Sequence, residues 1–124
     1  MEISERAQLA ADLKQMYNCC QAVMLALKDD VKQSSDELIS LGAGFGLGLG
    51  NMEGTCGALV GAVIIAGLRG VSSRDKSREM NVRFRELCGA ITCKDIKGVY
   101  SGKVLCSCPD CCKNAVIAYE EIYK

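Results

Sequence analysis

GAGFGLGLGNMEGTCGALVGAVIIAGL, residues 42–68, decides the fold. Eight of the chain's thirteen glycines fall between Gly42 and Gly61. Glycine weakens helix and strand interiors alike, so this density marks tight turns or close backbone approach. Cys56 to Leu68 then carries no charge, which predicts a central helix over about residues 55–68, buried on all sides. Gly57 and Gly61, four apart on it, predict a neighbouring helix at close range.

The rest of the chain reads as amphipathic helices wrapped around that segment. Leu9, Leu13, Met16, Cys20, Val23 and Leu27 recur at three- and four-residue steps and predict one helix from Ser4 to about Lys28. Cys20 lies within that stripe and Cys19 on its flank. Ser34 and Glu37 have capping-box spacing for a second helix bearing Leu38, Ile39 and Leu41. Beyond the central helix, Gly70 is a stop. Ser72 and Asp75 open a charged helix bearing Met80, Phe84 and Leu87, which ends at Cys88–Gly89. A short helical turn follows Thr92, and a last helix starts near Ser107–Pro109 with Val116, Ile117, Tyr119 and Ile122 as apolar content. The expectation is an all-α, single-domain bundle of about five helices over residues 1–124.

Composition narrows the function. The 124 residues carry fifteen basic and fifteen acidic side chains, which gives no general argument for nucleic acid or a membrane surface. Arg69–Lys97 has a basic excess of four, read as a solvated helix face. A membrane span needs about 20 apolar residues, and Cys56–Leu68 is shorter. The charged start, MEISERAQLA, carries no basic-then-apolar leader, so the expected location is the cytoplasm. The core must be aliphatic, small-residue and sulfur-rich, because the chain has no tryptophan and two phenylalanines.

Nine cysteines, at 19, 20, 56, 88, 93, 106, 108, 111 and 112, stand beside no histidine. The missing imidazole excludes Ser-His-Asp and Cys-His catalysis and mixed Cys/His zinc sites. An odd count with no secretory signal disfavours a disulfide framework. Thr55–Cys56, Thr92–Cys93 and Ser107–Cys108 each put a hydroxyl residue before a cysteine at a predicted helix start. Free N–H groups there favour thiolate, the form that exchanges disulfides and binds metals. Cys20 and Cys88 read as buried small hydrophobes. The tail CSCPDCC contains a Cys-x-x-Cys unit, with no preceding strand to support a thioredoxin-like reading. The glycine segment lacks the spacing of a dinucleotide fingerprint, and Glu53 reads as a solvent-facing loop acid.

Four ordered blocks carry a family resemblance: YNCCQAVMLAL around Cys19, GFGLGLGNMEGTCGALVGAVIIAGL around Cys56, LCGAITCKDIKG around Cys93 and CPDCCKNAV around Cys108. Together they resemble the redox-active proteins of the C_GCAxxG_C_C family, with the CGAxxG element at Cys56–Gly61. The resemblance implies four functional cysteines at Cys19, Cys56, Cys93 and Cys108. Cys20 departs from the more usual alanine, and Cys106, Cys111 and Cys112 are candidate substitutes for the last of the four. A related domain in a multihaem cytochrome with an iron–sulfur centre extends the analogy toward a cluster. The expectation is a redox or electron-transfer protein whose four cysteines ligate an iron–sulfur cluster or act as exchanging dithiols. The alternative is a closed four-cysteine zinc module, and a third reading is a structural helical domain with no metal. The expected partner is an unidentified redox protein, with no nucleic acid and no membrane, and the glycine-alternating segment is compatible with a homodimer.

Overall fold

The computed structural model describes residues 4–123. Among them lie seven α-helices and no strand: α1 Glu5–Leu13, α2 Cys19–Ala26, α3 Ser35–Gly42, α4 Gly57–Leu68, α5 Arg74–Cys88, α6 Cys93–Lys97 and α7 Cys108–Ile122. α2, α4 and α7 pack on one another; α1 lies along α7, α3 against α2, and α5 against α7 and α4.

The single first helix expected from the apolar stripe is two helices. Asn18 stops the first and caps the second. Its Oδ1 accepts from the Gln21 amide at 2.8 Å, and the Gln21 side chain accepts from the Asn18 amide at 3.1 Å. This capping box competes with continued helix at residues 14–18. The break also shifts the buried face. Met16 is 78% exposed and Leu9 43%, whereas Ala7 and Ala10 are fully buried. Counting α6 as well, the bundle has more than the five helices expected.

The glycines of α4 act as the sequence predicts. A Cβ on Gly61 would stand 2.7 Å from the Cys20 carbonyl oxygen, and one on Gly57 the same distance from that of Phe45. α2 therefore crosses α4 in backbone contact. α4 is not buried on all sides, however. Val60, Val63 and Ile64 are half-buried along one edge, and Leu68 is exposed. The smallness of its α2-facing residues, rather than full enclosure, accounts for the uncharged run.

Ser34 and Glu37 form the expected capping box of α3. Ser73, one residue later than expected, caps α5, and Gly89 ends it with φ +92°. The core is built of alanine, cysteine and aliphatic residues, with Phe84, Tyr119 and Tyr123 as its buried aromatics. The Tyr119 hydroxyl donates to Asp30 at 2.7 Å and accepts from Arg69 at 2.8 Å, and Arg6 pairs with Asp30 and Glu120. This network joins α1, the Lys28–Asp30 turn, the C-terminal end of α4, and α7. No helix among the described residues is long and apolar enough to cross a membrane.

Candidate functional site

Cys19, Cys93 and Cys108 are the first residues of α2, α6 and α7, and Cys56 is the N-cap of α4. All four line one cavity of about 220 Å³, together with Lys14, Lys97 and Cys111. Four helix N-termini thus converge, one more than the three hydroxyl–cysteine pairs implied, because the break at Asn18 places Cys19 at a helix start. The two Thr-Cys pairs are aligned by backbone rather than by capping. Thr55 and Thr92 face each other in an isolated antiparallel bridge. The Cys56 amide donates to Ile91 O at 2.8 Å and the Cys93 amide to Gly54 O at 3.0 Å. Neither threonine side chain caps a helix; Ser107 does cap α7, accepting from the Asp110 amide.

The glycine segment forms one wall. Residues 47–50 run through left-handed backbone: Leu47 φ 52°, Gly48 φ 54°, Leu49 φ 62° and Gly50 φ 87°. Left-handed φ costs a non-glycine residue about 1–2 kcal/mol, and such strain persists only where surrounding structure over-determines it. Here the turn is closed by Gly54 N–H to Gly48 O at 2.9 Å. A Cβ on Gly48 would lie 2.6 Å from the Cys93 Cβ. Backbone therefore abuts the Cys93 side chain at a distance only glycine permits.

Charge divides the thiols into two kinds. The neighbouring Cys111 and Cys19 thiols pull the Cys56 pKa down to about 3, and the amides of Ala58 and Leu59 at the α4 start assist. No strict capping bond forms to that sulfur, so the assistance is dipolar. Cys108 is lowered to about 5, by the Cys19 thiol first and then by hydrogen bonding and charge from Lys97, with Lys14 adding positive potential. Cys19, sandwiched between Cys108, Cys112 and Cys56, is held protonated. Cys93 departs from the helix-start expectation. Burial raises it, and the neighbouring Cys56 and Cys108 sulfurs raise it further; its helix of five residues carries little dipole.

The remaining cysteines fall in different places. Cys111 reaches the cavity wall. Cys112 is fully buried, with its thiol directed at the Cys19 carbonyl. Cys20 is buried as expected, with burial pushing it up to about 12. Cys106 and Cys88, the latter read as simple core, instead gather with Cys111: these three sulfurs lie within 4.8 Å of one another, the one such trio of candidate ligand atoms among the described residues. Glu53 is exposed and paired with Lys94 at 2.9 Å, away from the cavity.

The fold and site define an all-helical domain organised around clustered cysteines. Residues 17–122 match the family described as "Putative redox-active protein (C_GCAxxG_C_C)", and the chain belongs to that family. Comparison with curated proteins and with solved structures gives no match.

Proposed function

We propose that the protein is a small cytoplasmic electron-transfer protein in which Cys19, Cys56, Cys93 and Cys108 ligate an iron–sulfur cluster. The observation that carries this reading is the convergence of four cysteines, three opening helices and one capping a fourth, on one cavity of about 220 Å³. Among the described residues no carboxylate lines that cavity, so its candidate donors are sulfur alone. Four convergent thiolates with no imidazole suit iron–sulfur ligation. A cluster supplies one-electron chemistry when bound. The chain supplies low-pKa Cys56 and Cys108, the Ala58 and Leu59 amides beside Cys56, and Lys97 and Lys14 to offset negative charge. The electron partner is another redox protein.

The placing of Cys19 beside Cys56 and Cys108 in one cavity, where both raise its pKa, favours a second reading, two-electron thiol–disulfide exchange through Cys19. Purification without oxygen, followed by iron and sulfide analysis and a visible spectrum, separates the two. Brown protein with stoichiometric iron and sulfide is the expected result, and Cys56→Ser should lose most of both. Metal-free, colourless protein that gains a Cys19 disulfide on mild oxidation would replace the cluster with the dithiol. Zinc in the cavity would overturn both.

A further inference from the structure

The geometry points to a second metal site, on Cys88, Cys106 and Cys111, that takes one soft d10 cation of the copper(I) class. Cys111 also reaches the wall of the four-cysteine cavity, so the two sites are neighbours, but none of these three cysteines is among the four proposed cluster ligands. Cys88 is the last residue of α5, Cys106 lies in the loop before α7, and Cys111 sits in the first turn of α7. Their sulfurs lie within 4.8 Å of one another. Three thiolates around one ion, with bonds of about 2.3 Å, stand roughly 4 Å apart, so each pair closes by less than about 1 Å on binding.

The donor set selects the ion. It is all sulfur, and no histidine or carboxylate joins the group. Zinc in closed sites is almost always four-coordinate. Copper(I) is satisfied by three soft thiolates, and soft donors select it. The Asn114 side-chain amide lies 3.4 Å from the Cys88 sulfur and 3.7 Å from that of Cys106, where its N–H groups support anionic sulfur, the role that hydrogen-bond partners of ligands commonly play.

The site is also held in place. The Leu105 amide donates to Ile96 O at 2.8 Å, and a Cβ on Gly98 would collide with the Lys103 carbonyl. The loop carrying Cys106 is therefore pinned against its neighbours. Cys88 and Cys111 are buried, whereas Cys106 is only partly covered, which leaves an entry for the ion beside Cys106.

The test uses the full chain, reduced and metal-free, carrying Cys93→Ser and Cys108→Ser to disable the cavity. Copper(I) is titrated without oxygen against a competing copper(I) chelator, and X-ray absorption counts the sulfurs. One tight equivalent on three sulfurs is expected. Adding Cys106→Ser, a partly exposed position, should weaken it by more than about 100-fold, and Asn114→Ala by about 10- to 100-fold, as for other partners of metal ligands. Unchanged affinity in the Cys106→Ser variant would overturn the site, as would displacement of the copper by equimolar zinc. The same comparison in the otherwise native chain, where Cys106→Ser should remove one equivalent of bound copper, tests the site independently of the background substitutions.

Discussion

At the scale of single residues, Cys108 is the thiol whose ionisation the chain controls from outside the helix. Its pKa falls from 9.0 to about 5 beside Cys19 and Lys97. A depressed folded-state value stabilises the fold above the unfolded pKa, and that contribution is lost as pH falls through about 5. In reduced, metal-free protein, alkylation of Cys108 should therefore titrate with a midpoint near 5 rather than near 9. Lys97→Ala removes the cation that favours thiolate, so the midpoint should move upward and the rate at pH 6 should drop. Mass-spectrometric peptide mapping across pH reads both, and an unmoved midpoint would show that Lys97 does not hold this thiolate. The hydroxyl–cysteine pairs made Cys56, Cys93 and Cys108 legible in the sequence because a helix start is a local signal. The sign of the Cys93 shift was not legible, because burial and two neighbouring sulfurs set it, and both come from distant segments.

At the scale of elements, the α2–α4 contact depends on a missing methyl group. Gly61→Ala puts a Cβ 2.7 Å from the Cys20 carbonyl, and relieving it by moving a helix should cost about 1–3 kcal/mol. Gly67 on the same helix has nothing within 4 Å of its would-be Cβ, so Gly67→Ala should be neutral or stabilising by up to about 1 kcal/mol. Urea unfolding of the two variants measures the contrast, and equal effects would rule out the close crossing. Gly48→Ala combines a φ of +54° with a 2.6 Å approach to the Cys93 Cβ. It should lower iron content more than it lowers the unfolding midpoint, since the displaced atom belongs to a proposed ligand. The density of glycine announced such contacts in the sequence. The left-handed run did not announce itself, because Leu47 and Leu49 take an ordinary residue into a backbone region that only the folded turn enforces. The Asn18 break was missed for a similar reason: the apolar stripe continues across it, while a four-residue capping box ends the helix.

At the scale of the whole molecule, the cysteine cavity and the Tyr119 network lie at opposite ends of α4, one at its N-cap and the other at Arg69. Tyr119→Phe removes a buried hydroxyl bonded to Asp30 and Arg69 and leaves those partners short of a bond. A loss of about 1–3 kcal/mol is expected, with iron content unchanged once the protein is folded; calorimetry and metal analysis check the two halves of that statement. The all-α class and the family were readable from order and spacing. The Cys88, Cys106 and Cys111 cluster was not, because it exists only where α5 packs against α7. The convergence of four helix starts also has a consequence for how the protein is made. Cys19 leaves the ribosome 89 positions before Cys108, at roughly 5–20 residues per second, and α7 carries both Cys108 and the packing face that closes the cavity. An interrupted chain has no complete ring of thiols to offer. Loading of the proposed centre would thus require that synthesis has passed α7, and its colour would report that α7 has packed against its neighbours.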